Sequence, residues 1–418
     1  MENIQKIYES NTKYILGSNI DYFQNFRHKL IKNLNLDSRI IKNNESIKYI
    51  DPNVLKNINF SINNNQTSNY QNLTDHKYDS SLTVKNGLHY TLMNIDNDKV
   101  IINPLSSDLN LLKKNIEQNK DQIKDDYIVI LNSILLNSGF HFSMNEKTNL
   151  KMSLVYDNDQ INNTIYAKNF FHIKKNSNLI LIEKFINQTV SNSNIIHHFE
   201  LEEGSTLIHL VIQNNNYDSN LQFTSHANCY QNTKFKQLIF NCSESSGRNH
   251  HYAKLLGQNS EANLEGIFFG RKNQVIDNKT EINHLINNSA SNQTYKGILA
   301  DNAKASYLSK TYVDKQAQKT DGYQLSKGVL LSEDAYFHSK PELRIFADDV
   351  KCSHGSTIGP FDDEEIFYLR TRGLNEKKAK SLLIKSFCKD LLFNVKNESY
   401  VTEVNELIDN WLLKNIKY

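Results

Sequence analysis

From about Thr164 the chain settles into a repeat: an apolar, strand-like run, a polar turn of Gly, Ser, Asn or Asp, then a new apolar run. Asn176-Ser177-Asn178-Leu179, Glu203-Gly204-Ser205-Thr206-Leu207, Gln231-Asn232-Thr233-Lys234-Phe235 and Asn259-Ser260-Glu261-Ala262-Asn263-Leu264 mark successive turns. The first apolar residues after them stand 28, 28 and 29 apart. A fixed period in this range means stacked supersecondary units, none able to bury its own apolar face. The units hold no helical period, so a mainly β chain built as a β-solenoid is expected. The register blurs after Leu264 and resumes with a step of 30 from Tyr307 to Phe337.

Both flanks read as helical. Ile4, Ile7, Tyr8, Tyr14, Ile15, Tyr22, Phe23, Phe26, Leu30 and Ile31 recur at helical spacing, with Arg27, His28, Lys29 and Lys32 as a solvated face. Residues 43–80 are polar and irregular, with a turn expected at Tyr49-Ile50-Asp51-Pro52. Two short β-like runs follow between Lys85 and Leu105, and a helix of mixed apolar faces over Asp126 to Leu136. Past Phe361, Asp362 is placed to cap a helix, Glu365 to reach back to the cap and Phe361 to pack on Ile366. Gly373 supplies a left-handed residue at that helix's end, and Asn375 caps the next. Ala379, Leu382, Leu383, Phe387 and Leu391 form one stripe; Tyr400, Val401, Val404, Leu407, Ile408, Trp411 and Leu412 form another. The expected division is 1–125 (helical and mixed), 126–360 (solenoid) and 361–418 (helical).

Charge and composition narrow the function classes. A net charge of +2, with no basic run interleaved with aromatics, argues against nucleic acid. Asn is abundant, and its tolerance of left-handed backbone suits an architecture with many turns. Four cysteines without CxxC spacing point to a reducing compartment. No apolar stretch approaches a membrane span, and the first residues lack the charged-then-apolar order of a secretory signal, so a cytoplasmic protein is expected.

The candidate chemistry lies where strands give way to helices. In Val350-Lys351-Cys352-Ser353-His354 an extended backbone sends the thiol and the imidazole to one face, about 7 Å apart along the strand. Such a pair suits one soft metal ion or a cluster, but those sites want three or four donors. Cys388, on an expected helix, is the only other candidate within reach along the chain, so the missing donors are expected from another chain. The alternative is a small buried cysteine beside a hydrogen-bonded turn histidine. His197-His198, His209, His226, His250-His251 and His284 fall in different coils and read mostly as surface or turn residues. Cys229 and Cys242 read as core. Tyr166, His172, Asp277 and His284 are residue types that a β-helix polysaccharide lyase uses, yet no Asp cluster beside an Arg or Lys accompanies them.

The segment ADDVKCSHGSTIG, followed by FDDEEIFYLRTRGL, resembles the C-terminal signature of the SufB/SufD family, scaffold subunits of the SUF iron–sulfur assembly machinery. Tyr295-Lys296-Gly297-Ile298-Leu299, Lys319-Thr320-Asp321-Gly322-Tyr323-Gln324, Leu330-Leu331-Ser332 and Lys340-Pro341-Glu342-Leu343 resemble successive coils of the same family. Tyr368-Leu369-Arg370 is similar to the SufD rather than the SufB branch. The resemblance runs from roughly Leu131 to Leu392. It implies a right-handed parallel β-helix with helical flanks, edge-to-edge pairing with a SufB-like subunit, and a SufC-like ABC-type ATPase on the C-terminal helices. It further implies that Cys352 and His354 ligate a nascent, transient iron–sulfur cluster shared with the partner, with no intrinsic cofactor, and that Lys351 biases Cys352 toward thiolate. Tyr368, Arg370 and Arg372 are the candidate ATPase contacts. The chain has no GxxxxGK[ST], so nucleotide chemistry falls to that partner and a non-catalytic role to this chain. A homodimer in isolation, a purely structural dimerisation module and a β-helix carbohydrate-active enzyme remain as competing readings.

Overall fold

The computed structural model describes residues 4–36, 80–123, 126–159, 163–187, 189–215 and 219–415; the turn expected at 49–52 lies outside them. Sixteen strands, from β4 (Phe140–Met144) to β19 (Val350–Gly359), enter two sheets alternately and wind a parallel β-solenoid of about seven turns. Sheet I has ten strands and sheet II nine. At one end the short strands β2 (His89–Met93) and β3 (Val100–Pro104) pair antiparallel with β1 (Ser80–Lys85) and β4. At the other end, sheet II stops at β18 (Tyr336–Ile345) and sheet I at β19, both without a further strand among the described residues.

The repeat arises because one turn geometry recurs in every coil. Lys147, Asn176, Gly204, Asn232, Asn259, Asn288 and Lys319 all take the left-handed conformation, φ near +56° except +70° for the glycine. Asn176 N–H donates to Glu203 O, Gly204 to Gln231 O, and Asn232 to Gln258 O, so each turn is bonded to the next coil. Asn adopts this backbone at low cost, which is where part of the Asn excess is used.

Register departs from the sequence spacing in two places. Leu179, Leu207 and Phe235 share one interior column, but the next partner of Phe235 is Ala262, and Leu264 sits opposite Gln237. Likewise Phe337 pairs with Ala305, and Tyr307 with Ser339. Each slip is by two residues, so every side chain keeps its face and the hydrophobic pattern hides the slip.

Between the sheets lies a core of Leu82, Phe142, Leu154, Phe171, Leu181, Phe199, Val211, Phe223, Ile239 and their neighbours. Outside sheet II, helix 127–135 is buried on every side, and Asn132 donates to Ala167 O and Asn194 O at 3.0 and 2.9 Å. Arg27, expected on a solvated face, is instead buried: it donates to Leu16 O at 2.5 Å and lies over the Phe23 ring. A wet helix face was the wrong reading because the long guanidinium stem also packs as an apolar group.

Outside sheet I lie the two last helices, 376–393 and 398–415. Trp411, Ile408, Tyr400, Ile384 and Leu391 pack on Ile212, Leu238, Phe240, Phe269 and Ile298. Lys296 reaches from the sheet to Asp390 at 2.5 Å and Phe387 O at 2.7 Å. Asp362, Gly373 and Asn375 take their expected cap positions: Asp362 accepts from Glu364 N at 2.8 Å, Asn375 from Lys378 N at 2.9 Å, and Gly373 has φ +91°. The stripe of the middle helix is rotated from expectation, since Ala379, Ile384, Cys388, Leu391 and Leu392 are buried and Leu382 is exposed. The helix packs on a sheet as well as on its neighbour, so a wider face is covered than one stripe predicts.

Candidate functional site at the open end of the solenoid

Strand β19 carries both candidate ligands, and it is an edge strand. Its register on β17 (Thr320–Leu330) sets Cys352 opposite Gly322 and His354 opposite Gln324. Gly322 and Gln324 belong to the alternate residues that face the interior, so both candidate side chains face the mouth of the solenoid. Cys352 is half-buried beside Val313, Ala317 and Ala347, while His354 is exposed. Cys388, by contrast, lies on helix 376–393, buried in the core between the C-terminal helices and sheet I, and offers the pair nothing.

Beneath His354 runs a ladder of interior hydrogen bonds. Thr280 donates to Gln293 Oε1 at 2.6 Å, and Gln293 to Thr311 Oγ1 at 2.8 Å. Gln324 donates to Thr311 Oγ1 at 2.7 Å and to Glu342 O at 3.2 Å, and accepts from Ser309 at 3.1 Å. These bonds fix the amide on which the His354 position stacks. The expected push of Cys352 toward thiolate is not found: burial raises its thiol, the Gly322 backbone opposes this, and Asp321 adds to the rise. Lys351 points to the other face of the strand and does not reach the sulfur's surroundings. A soft metal displaces the thiol proton on binding, so a raised thiol makes ligation pH-dependent without forbidding it.

Next to the mouth, helix 363–371 has no buried residue at all. Phe367 and Tyr368 are exposed, as are Arg370 and Arg372, and the Arg372 guanidinium lies over the Tyr368 ring at 5.2 Å. Tyr368, Arg370 and Arg372 thus share the exposed side of one short helix and its end.

The histidines inside the repeat are not surface residues. His197, His209, His250, His251 and His284 are all at most 1% exposed, and His198 and His226 are buried. His198 stacks between Phe170 and His226, which stacks on Tyr252, on the outer face of sheet II. His197 and His209 instead meet Glu183 inside, Nε2 to Oε1 at 2.8 Å and Nε2 to Oε2 at 2.7 Å. Strand alternation separates neighbours along the chain, but coil stacking brings together residues a dozen or more apart, and no local signal marks that. Asp277, one of the residues weighed for lyase chemistry, accepts from His250 at 2.9 Å and from Ser306 at 2.5 Å. Arg248 donates to Asp126, to Thr224 at 3.0 Å and to His250 Nδ1 at 2.6 Å. This network is buried and its charges are spent on one another, as a structural ion network rather than an open acid–base site.

A parallel β-solenoid flanked by helices, with a Cys-x-His strand at its free end, defines a class, and comparison with known proteins fixes it. Residues 155–387 match the family described as SUF system FeS cluster assembly, SufBD core domain. That match takes in more than half of the chain, so the chain belongs to the SufBD family, and within it to the SufD type. It is 36% identical over 157 residues to the iron-sulfur cluster assembly protein SufD of Escherichia coli, covering 38% of this chain and 37% of that protein. A SufBD family protein of Synechocystis is 32% identical over 204 residues, covering 48% and 44%. SufD of Plasmodium falciparum is 28% identical over 269 residues, covering 62% and 18%. The chain therefore spans less than half the length of each of these relatives. Among the described residues no helix is long and apolar enough to cross a membrane.

Proposed function

We propose that the chain is a scaffold subunit for iron–sulfur cluster assembly, non-catalytic itself and working in the cytoplasm. Its open end pairs with a SufB-like subunit and its C-terminal region holds a SufC-like ATPase. Cys352 and His354 supply two ligands to a nascent cluster, the partner strand supplies the rest, and the cluster leaves as cargo rather than staying as a cofactor. The observation that carries this reading is the position of the Cys-x-His strand: the last strand of sheet I, its donors facing the mouth, with no further strand beside it among the described residues. Tyr368, Arg370 and Arg372, exposed on a helix without a buried residue and at its end, are the proposed ATPase contacts. ATP-driven closure of the ATPase pair would shift the two scaffolds against each other and open the junction to iron and sulfur. The regions 1–125, 126–360 and 361–418 are proposed to divide this work, with the middle one bearing the cluster junction and the last one the docking site. A carbohydrate-active enzyme gives way to the family assignment.

The test is co-purification with a SufB-like and a SufC-like protein, then anaerobic reconstitution. His354→Ala and Cys352→Ala are expected to leave the complex and its melting temperature unchanged and to abolish most of the iron–sulfur absorption. Unchanged cluster yield in both variants leaves a structural dimerisation module, the second reading. Charge reversal at Arg370 and Arg372 is expected to release the ATPase while the two scaffold subunits stay paired.

A further inference from the structure

The solenoid interior holds a donor set that cluster assembly at the mouth does not use. Glu183 on sheet I, His197 on sheet II and His209 on the next strand of sheet I converge with their side chains wholly buried. One donor atom from each falls within a sphere where all lie within 4.8 Å of one another. Both rings aim Nε2 at the same carboxylate, and each Nδ1 is held by an amide: Asn169 Nδ2 at 3.1 Å from His197, Gln237 Nε2 at 3.0 Å from His209. Asn169 is held in turn by the Tyr156 hydroxyl at 2.5 Å, and Gln237 by Ser225 at 3.2 Å. Metal-ligating histidines are usually fixed through their other ring nitrogen, which donates its N–H to an oxygen, and here a side-chain amide stands at that place beside each ring.

Charge balance points the same way. A carboxylate out of water costs several kcal/mol unless charge or a full set of hydrogen bonds compensates. Among the described residues its ion-pair partners are the two imidazoles. With the amide NH2 groups on Nδ1, both imidazoles are neutral and the cluster holds a net negative charge in a dry core. Half a turn of the Gln237 amide puts its oxygen on the His209 ring, moves that ring's proton to Nδ1 and frees its Nε2 lone pair; the same turn of Asn169 frees His197 Nε2 at the loss of the bond that Phe140 N donates to Asn169 Oδ1 at 3.2 Å.

We propose that Glu183, His197 and His209 bind one divalent first-row transition metal ion, of the zinc or ferrous class, inside the solenoid. Two imidazoles and a carboxylate are donors those ions accept. The site is closed, so the ion enters as the coils stack and becomes part of the fold. It is distinct from the mouth: His209 lies five strand spacings from β19 in sheet I, about 24 Å.

The experiment uses the full chain carrying Cys352→Ser and His354→Ala, expressed with added Zn2+ or Co2+ and stripped of loose metal on chelating resin. The expected result is about one metal per folded chain, released only on unfolding. The cobalt form should show ligand-field bands without thiolate charge transfer. Glu183→Gln and His209→Gln, added to that background, should each lower the metal content about tenfold or more. Should those variants fail to fold, the cobalt spectrum of their parent and its lower melting temperature when grown without metal decide instead. A folded Cys352→Ser/His354→Ala chain free of metal from either medium overturns the proposal. So does metal present in the unsubstituted chain but missing from this one, since it then sits at the mouth.

Discussion

His284 shows what a buried residue in a solenoid does to pH dependence. Its ring is wedged between Ser289 and Ser291, at 2.7 and 2.8 Å, and burial lowers its pKa to about 4. The unfolded chain, with an ordinary histidine near 6.5, takes up a proton that the folded one refuses. The sign follows: stability is full above about 6.5 and falls as pH drops toward 4. His284→Gln is expected to flatten that fall by about one proton, read as the pH dependence of the denaturant midpoint between pH 7 and 5. The same burial explains what the sequence concealed. His284, His209 and Arg27 are polar residues read as wet, and nothing local to them announces that a neighbouring coil or helix covers them. Cys352 and His354 were legible because their spacing is two, and a strand's facing follows from parity alone.

At the scale of the element, the turn column and the helix dock carry separate loads. Asn232 holds a left-handed turn bonded to Gln258 O. Asn232→Val forces a β-branched residue into that backbone and is expected to cost about 1–2 kcal/mol, whereas Asn232→Gly should be within a few tenths of wild type. Equal losses for the two, measured by chemical denaturation, would count against the turn as the source of the repeat. Trp411, whose ring centre lies 4.8 Å from that of Phe269, anchors the last helix to sheet I. Trp411→Ala is expected to cost about 3–5 kcal/mol and to expose the 376–415 helices to protease before the solenoid itself. The strands, their turns and the helix caps were readable, because each is written in a few consecutive residues. The two-residue register slips and the rotated stripe of helix 376–393 were not, because they are set by what the element lies against.

Taken whole, the molecule is a one-dimensional stack in which each coil is held by its neighbours. Coils at the open end have one neighbour instead of two, and the residues of β18 and β19 are correspondingly exposed. Hydrogen exchange is therefore expected to be fastest at the amides of Val350–Gly359 and slowest in mid-stack strands such as Lys234–Asn241, in the chain without partners. Adding a SufB-like subunit should slow the first set selectively; no change there would mean that pairing does not use this edge. The two ends of the rod are also unlike: short antiparallel strands finish one, and among the described residues two long parallel strands finish the other. If two such open ends meet as proposed, the edges left over are the short β2 and β3, which are poor templates for further pairing, so growth is expected to stop at a pair where a solenoid with two like ends would polymerise into a fibre.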